Sequence, residues 1–274
     1  MEAELRRKSV QIRREVIDMI FRAGTGHVGG SLSETDILVA LYYGIMKVYP
    51  DGPLRPERDR FILSKGHSVE AYYCILADRG FFPKKELESF SSFGSKYIGH
   101  PNNRVKGVEV NTGALGHGLS IGVGMALAGR MDRMDFRVFV LMGDGELAEG
   151  SVWEASMAAS GYGLDNLAAI IDRNGLQISG RTEDVMAVEP LADKWKSFGW
   201  NVSCVDGNDI SALCRALSPE NRAPGKPTLV IANTVKGKGV SFMENNPKWH
   251  HGAMDAGQYE QACRELDELL EVLP

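Results

Sequence analysis

The sequence predicts an α/β fold with a doubly wound parallel sheet. Two apolar runs, residues 138–142 and 167–171, lack the polar alternation of a half-exposed strand. Continuously apolar runs of this length are typical of strands that are buried on both faces of a parallel sheet. Segments of helical character separate the strands, and this alternation favours a doubly wound sheet. The 274 residues contain no internal repeat and no domain linker, so a single domain over residues 1–274 is expected.

The first segments of the chain are predicted to be helical. An apolar face at helical spacing predicts an amphipathic helix over residues 2–22. A glycine-rich loop is expected over residues 24–30. Ser33, with Asp36 three residues later, is expected to cap a second helix that runs towards Val48.

The next segments combine one strand with an irregular region. Residues 61–63 predict a short buried strand, and its loop enters a helix near Val69. Residues 82–111 are rich in Gly, Ser, Pro and Asn, which predicts an irregular segment that wraps a site. Residues 119–130 are rich in glycine and alanine and predict a buried helix that packs closely against its neighbours.

The second half of the chain is expected to supply most of the sheet. Apolar runs and helical periods alternate there with short loops. The predicted elements are strands at 138–142, 167–171, 200–205 and 228–232 and helices at 151–160, 209–217 and 256–270.

Composition and charge exclude several classes of function. A formal net charge of −5 argues against a general nucleic-acid-binding protein. No run approaches the roughly 20 apolar residues that span a bilayer, so no membrane association is expected. The cysteines form no C-x-x-C pair, which predicts reduced thiols in a cytoplasmic protein rather than a disulfide or zinc framework. They are Cys74, Cys204, Cys214 and Cys263.

Polar residues follow the first two predicted strands of the second half. Asp144 comes directly after one strand and Asn174 after the next, with a crossover helix between them. Because a crossover returns the chain in parallel, both residues are expected at the same edge of the sheet. Carboxylate and amide oxygens suit Mg²⁺, which takes phosphate oxygens to complete its shell. The alternative is that Asp144 only caps the next helix and that residues 174–175 form a simple turn.

These motifs resemble those of a known family. Residues 143–150, together with 172–176, resemble the thiamine-diphosphate motif of transketolases, and residues 112–118 resemble the glycine-rich segment of the same family. Four histidine motifs also stand in the family's order: Gly26-His27, Gly66-His67, Gly99-His100 and His251-Gly252. The similarity covers essentially the whole chain. Transketolases usually carry three domains on a chain more than twice as long, so this chain resembles the amino-terminal subunit of a split transketolase.

The resemblance implies a thiamine-diphosphate-binding fold with thiamine diphosphate and Mg²⁺ as cofactors, and Ca²⁺ or Mn²⁺ as possible substitutes. The implied metal ligands are Asp144, Asn174 and the backbone oxygen of Leu176. The implied cofactor-binding residues are His67, Gly113, Leu115, Gly143, Asp144, Gly145, Glu146 and Asn174. The implied catalytic residues are His27, His100, His251 and Glu149.

Several of these residues also have a plain structural interpretation. A lone loop histidine is more often solvated or satisfied, and Glu149 suits the amino terminus of a helix as a dipole partner. His250 is assigned to structure because His251 directly precedes the glycine of the family pattern. His117 is equally compatible with either role. Residues 236–239 either line the cofactor or form a basic surface turn.

The implied function is that of a transketolase, a glycolaldehyde transferase that acts on sugar phosphates in carbohydrate metabolism. Activity is expected only with a carboxy-terminal, pyrimidine-binding partner chain, and self-association is expected across a two-fold interface. The open alternatives are half of an enzyme similar to 1-deoxyxylulose-5-phosphate synthase and a non-catalytic cofactor-binding assembly subunit. A dehydrogenase of the Rossmann type is disfavoured, because Ile121 occupies the last glycine position of the G-x-G-x-x-G pattern.

Overall fold

A five-stranded parallel sheet forms the centre of the structure, a computed structural model that describes residues 2–273. The strands are β1 (Arg60–Leu63), β2 (Val138–Gly143), β3 (Leu167–Arg173), β6 (Asn201–Asp206) and β7 (Thr228–Asn233). Their order is β1-β2-β3-β7-β6, and every neighbouring pair is parallel. A separate antiparallel hairpin joins β4 (Leu176–Gln177) to β5 (Gly180–Arg181). The predicted α/β fold with its parallel sheet is confirmed.

Helices cover both faces of the sheet. One core contains residues of α1 (Glu2–Ala23), α2 (Val28–Val39), α3 (Val69–Asp78), α8 (Ile210–Leu217) and α9 (Ala256–Val272). The other core contains residues of α4 (Gly118–Met131), α5 (Gly150–Gly161) and α7 (Leu191–Ser197). A short helix, α6 (Thr182–Val185), follows the hairpin. None of the helices in residues 2–273 has the length and apolar character that crossing a membrane requires.

The central strands are apolar on both sides because each side meets a different core. Phe139 and Leu141 of β2 pack into the first core, whereas Val140 and Met142 pack into the second. All four side chains are fully buried. This burial explains why the run lacks polar alternation.

The second helix begins earlier than predicted. It starts at Val28 rather than after Ser33, so only part of the expected loop over residues 24–30 lies outside a helix. Hydrogen-bond donors at the start of α2 are paired with a residue of α3. The Glu70 carboxylate accepts hydrogen bonds from the His27 N–H at 2.8 Å and from the Ser31 hydroxyl at 2.7 Å. A cap supplied by α3 leaves no signal in the local sequence.

The chain also forms elements that the apolar pattern does not predict. After α2 the helix widens into a π-helical turn over Ala40–Ile45 and ends before Val48. The hairpin, α6 and α7 all fall in a stretch where the pattern indicates neither a strand nor a helix. The expected single domain over residues 1–274 stays a prediction, and its first and last residues lie outside the described range.

We predict opposite effects for two glycines of α4. An added Cβ at Gly122 would lie 2.5 Å from Val140 Cγ2, whereas one at Gly124 would meet nothing within 4 Å. Gly122→Ala is therefore expected to destabilise the protein by about 1–3 kcal/mol through overpacking. Gly124→Ala is expected to stabilise it by about 0.5–1 kcal/mol, since alanine favours the helix. Urea denaturation measures both, and equal effects would contradict the packing of α4 on β2.

Candidate functional site

The carboxyl ends of β2 and β3 lie side by side. Gly143 is in register with Asp172, so the residues that follow the two strands emerge at the same edge. The Gly175 N–H donates a hydrogen bond of 2.7 Å to Asp144 Oδ2. The structure therefore brings Asp144 and the segment at Asn174 together, as the strand–helix–strand pattern predicts.

A cavity of about 210 Å³ opens at this edge. Its walls come from the start of α2, the loop after β1, the ends of β2 and β3, the hairpin and the loop after β7. The lining residues are Gly30, Lys65, His67, Leu115, Gly143, Asp144, Gly145, Glu146, Asn174, Leu176, Gln177, Ile178, Lys236 and His250. The cavity thus gathers most of the residues that the motifs single out.

Residues with oxygen atoms suited to a hard cation line this cavity. Asp144 is almost fully buried, and its Oδ1 accepts one hydrogen bond, from the Gly145 N–H at 2.9 Å. Asn174 Oδ1 accepts the Leu176 N–H at 3.1 Å. Each of these oxygens keeps a lone pair, and a carboxylate, an amide and a carbonyl are donors that Mg²⁺ accepts. The residues present therefore fit a magnesium ion.

The donor set contains a single carboxylate. Among residues 2–273, no group of three or more His, Cys, Asp or Glu side chains is arranged to hold a metal ion. A cation at Asp144 would need further oxygens from a ligand, which is the usual situation for Mg²⁺ with phosphates. Gln177 Oε1 is buried at the cavity without a partner among the described residues, so the wall also offers a free acceptor.

A buried ion network supports the cavity from below. Lys65 Nζ forms ion pairs with Asp172 and Glu34, and it donates to the Gly30 carbonyl at 3.1 Å. Burial would lower the pKa of Lys65, but the two carboxylates raise it. Burial raises the pKa of Glu34 to about 8 against the effect of Lys65. The network therefore carries little net charge near neutral pH.

Asp172 also orients the amide of Asn174. Asn174 Nδ2 donates to Asp172 Oδ2 at 3.2 Å. The Ser33 hydroxyl donates to the same oxygen at 2.6 Å, and the Thr234 hydroxyl donates to Oδ1. Because the NH₂ group of the amide faces Asp172, its oxygen is turned away from the buried network. A carboxylate at position 174 would lack this donor.

Lys236 is the cation that the turn over residues 236–239 contributes. It is 2% exposed, and its Nζ lies 3.1 Å from the Leu176 carbonyl oxygen and 3.1 Å from His250 Nδ1. Burial lowers the pKa of Lys236 to about 8, with Lys65 adding to the effect. Lys238, by contrast, lies at the surface, 3.5 Å from Glu244.

Five of the six histidines form one cluster, in which four surround His27. Its ring centroid lies 4.5 Å from that of His251, 5.1 Å from His67, 5.7 Å from His250 and 6.4 Å from His100. The motifs therefore converge in space, although they are far apart in sequence. His250 also belongs to the cluster and lines the cavity, although the sequence pattern assigns it to structure.

Burial keeps His27, His67, His100 and His250 neutral at pH 7. It lowers the pKa of His67 to about 2 and that of His250 to about 3, with nearby lysines adding to the shift. It lowers the pKa of His27 to about 4, together with the neighbouring His251 and His100. The pKa of His100 is also lowered by burial. A neutral imidazole offers one donor and one acceptor, which suits hydrogen bonds to hydroxyl and phosphate oxygens.

Glu146 and Gly113 take positions that the motif alone does not define. The Glu146 carboxylate is buried, and it accepts hydrogen bonds from the Gly116 N–H at 2.9 Å, the Gly143 N–H at 3.0 Å and the Ser64 hydroxyl. It therefore ties the glycine-rich segment to β2. Gly113 lies beside the His100 ring and is not part of the cavity wall.

Two further predicted residues lie outside the cavity. Glu149 is exposed immediately before α5, and His117 is exposed immediately before α4. Neither side chain lines the cavity. Glu70 is a site residue that the motifs miss, since it holds the backbone of His27 from α3. A buried glutamate in an apolar helix is the signal that could have indicated it.

Residues 6–267 match the family model for the transketolase thiamine diphosphate binding domain. The chain belongs to the transketolase family. It is 50% identical over 266 residues to an apulose-4-phosphate transketolase subunit of Phocaeicola vulgatus, covering 97% of this chain and 95% of the relative. It is 41% identical over 267 residues to the 6-deoxy-6-sulfo-D-fructose transketolase subunit SqwG of a Clostridium species, covering 97% of each.

The fold agrees with solved members of the family. A crystal structure of transketolase from Campylobacter jejuni superposes with a TM-score of 0.91 at 30% sequence identity. The match covers 97% of this chain but only 43% of that longer transketolase chain. The family match therefore supports thiamine diphosphate as the ligand of this domain.

We predict that the buried histidines make the protein less stable in acid. The folded-state pKa of His67, about 2, lies below the ordinary value of 6.5, so the unfolded chain binds more protons below pH 6.5. The stability from neutral His67 is complete above pH 6.5 and is lost as the pH falls. Between pH 7 and pH 5 the loss is about 2 kcal/mol.

The variant His67→Gln tests this expectation. Urea denaturation at pH 7 and pH 5 should show a stability drop that is smaller in the variant by about 2 kcal/mol. His117→Gln is the matched control, because His117 is exposed. Equal pH dependence in the wild type and His67→Gln would show that His67 does not titrate in this way.

Proposed function

We propose that this chain is the amino-terminal subunit of a two-chain transketolase. It transfers a two-carbon ketol unit from a ketose or ketose phosphate to an aldose or aldose phosphate. The observation that carries the proposal is the cavity itself, which combines a single-carboxylate oxygen site, a buried lysine and neutral histidines. The near full-length similarity to two transketolase subunits supports the same conclusion.

Asp144, Asn174 and the Leu176 carbonyl oxygen are proposed to hold Mg²⁺, or Ca²⁺ or Mn²⁺ in its place. Thiamine diphosphate, when bound, supplies a nucleophilic carbon for attack on a ketose carbonyl and an electron sink for the C–C cleavage. Gly143 and Gly145 leave room for a diphosphate, because no Cβ narrows the cavity at these two positions of its wall.

The diphosphate is expected to interact with two further residues. Lys236 provides a buried positive charge beside the Leu176 carbonyl. His67 is neutral and lines the same wall, so its ring N–H can donate a hydrogen bond to a phosphate oxygen. Leu115 is one of the apolar residues of the wall and is proposed to contact the body of the cofactor. Gly113 and Glu146 are proposed to shape the loop that approaches it.

The histidine cluster is proposed to bind the sugar. His27, His100 and His251 lie together beside the cavity, and hydroxyl and carbonyl oxygens of a ketose can pair with their ring nitrogens. A neutral imidazole can also take a proton from a hydroxyl group and return it in the opposite step. These three residues therefore have the chemistry to bind the donor and move its protons.

A carboxy-terminal, pyrimidine-binding chain is the proposed partner, and we propose a heterotetramer with two copies of each chain. Three exposed apolar side chains support an interface on this side: Met131 at the end of α4, Met157 within α5 and Tyr162 directly after α5. Glu149 is exposed at the opposite, amino-terminal end of α5 and is proposed to join a carboxylate network across the subunit interface. Cytoplasmic location stays a prediction from the scattered cysteines.

Apulose 4-phosphate is the donor that we propose to test first. The relative named for that substrate is 50% identical to this chain, against 41% for the relative named for 6-deoxy-6-sulfo-D-fructose. We propose 6-deoxy-6-sulfo-D-fructose as the second donor to test and an ordinary ketopentose phosphate as the third. Pyruvate is included because its decarboxylation would favour an enzyme similar to 1-deoxyxylulose-5-phosphate synthase.

We predict that cofactor binding depends on Asp144. Calorimetry with thiamine diphosphate and Mg²⁺ should show tight binding by this chain mixed with its partner. Asp144→Ala should weaken binding by more than about 100-fold, since even outer-shell changes cost roughly 10–100-fold in metal affinity. Asp193→Ala is the control, because Asp193 is 73% exposed on α7. Equal affinities in the two variants would contradict the assignment of the metal site.

We predict ketol transfer by the two-chain mixture and none by this chain alone. The assay follows the new ketose formed from each donor with a common aldose phosphate acceptor. His27→Ala should lower kcat by about 100-fold or more, within the range of a positioned acid–base group. Tight cofactor binding without transfer from any sugar would instead favour a non-catalytic assembly role.

A further inference from the structure

Arg173 links the metal-binding carboxylate to the segment after the hairpin. Its Nη1 donates to Asp144 Oδ2 at 2.9 Å and to the Thr182 hydroxyl at 2.6 Å. Its Nη2 donates to Glu183 Oε1 at 2.7 Å and to Glu189 Oε1 at 3.1 Å. One guanidinium thus binds Asp144 on one side and two glutamates on the other.

The contact with Asp144 is the best shielded of these ion pairs. The side chains of Asp144 and Arg173 are 2% and 12% exposed, whereas those of Glu183 and Glu189 are 30% and 55% exposed. A guanidinium stays charged at every relevant pH, so it permanently offsets the charge of a carboxylate that it contacts. Solvent screens the two glutamates more strongly than it screens Asp144.

A bare divalent cation therefore meets little net negative charge at this site. The only carboxylate in the proposed ligand set is already paired with Arg173, and the ammonium of Lys236 stands 3.1 Å from the Leu176 carbonyl. The remaining ligands are neutral oxygens. A diphosphate would bring several negative charges and further metal ligands at once, and it would also pair with Lys236.

We propose that Arg173 suppresses binding of a divalent cation on its own, so that the metal ion binds together with the diphosphate group of the cofactor. The inference rests on the proposed function of the same cavity. Arg173 acts as a positioning residue that sets the charge of Asp144. Glu183 moderates the effect, because it draws part of the guanidinium charge away from Asp144.

The two neighbours give effects of opposite sign. Removing the charge of Arg173 frees the Asp144 carboxylate and should strengthen binding of the cation alone. Removing the charge of Glu183 lets Arg173 offset more of the Asp144 charge and should weaken binding of the cation alone. A purely structural role for the same ion pairs would weaken binding in both cases, because either change would loosen the segment that contains Leu176.

Mn²⁺ binding to the full chain without cofactor tests the inference, with the free ion followed by electron paramagnetic resonance. Arg173→Gln and Arg173→Met should bind Mn²⁺ about tenfold more tightly than the wild type, within the usual range of coupling between sites. Glu183→Gln should bind it about twofold to fivefold more weakly, as for one partly exposed ion pair. Arg181→Gln is the matched control and should have no effect, because Arg181 is an exposed arginine at the end of β5.

Two further measurements complete the test. Adding Asp144→Ala to Arg173→Gln should abolish the gain, which assigns it to this site. Inorganic diphosphate should increase Mn²⁺ uptake more in the wild type than in Arg173→Gln, after correction for the Mn²⁺–diphosphate complex in solution. Urea denaturation identifies any variant that does not fold. If one of the two Arg173 variants fails to fold, the other one and Glu183→Gln still test the inference.

Equal or weaker Mn²⁺ binding by a folded Arg173→Gln variant would overturn the inference. That result would leave the proposed function intact if the wild-type mixture still binds thiamine diphosphate. Loss of thiamine diphosphate binding by the wild-type mixture would instead overturn the proposed function, whatever the arginine variants show.

Discussion

The ion pair between Lys65 and Asp172 is the interaction on which the rest of the site depends. Both side chains are buried, so either charge alone would carry a large desolvation cost, and breaking such a pair typically costs about 3–5 kcal/mol. Through these two residues the loop after β1, the start of α2 and the end of β3 share one set of hydrogen bonds. The ion pair therefore fixes the residues beneath the cavity, and Asp172 orients the amide of Asn174 by accepting its hydrogen bond.

This ion pair also determines which charged groups remain available at the cavity wall. Lys65 is offset by its partners, so Lys236 is the cation that remains available at the cavity wall, and burial has already lowered its pKa to about 8. The nearby histidines are neutral at pH 7 because an additional buried charge would be too costly beside these lysines. Because Asp144 is paired with Arg173, the ammonium of Lys236 and the neutral donors of the wall favour an anionic ligand over a cationic one.

The sequence was sufficient to predict the sheet and the meeting of Asp144 with Asn174, because both follow from apolar runs and from the geometry of a parallel crossover. It was not sufficient to predict the start of α2 or the part played by Glu70, since that helix is capped by a residue distant in the chain. Lys236 could not be separated from a surface turn, because its burial depends on packing against the start of α2. Arg173 could not be identified for the same reason, as its partners are joined only by the fold.

A metal site with one carboxylate has a built-in dependence on its ligand. Asp144 already accepts hydrogen bonds from two backbone amides and from Arg173, so little of its charge is left for a cation. Adding a second protein carboxylate would let the cation bind alone and would also repel a diphosphate. Because the protein supplies little negative charge to the metal ion, the phosphate oxygens of the ligand can supply most of it. The same cavity can then hold an anion and a cation together, although it is poorly suited to the cation alone.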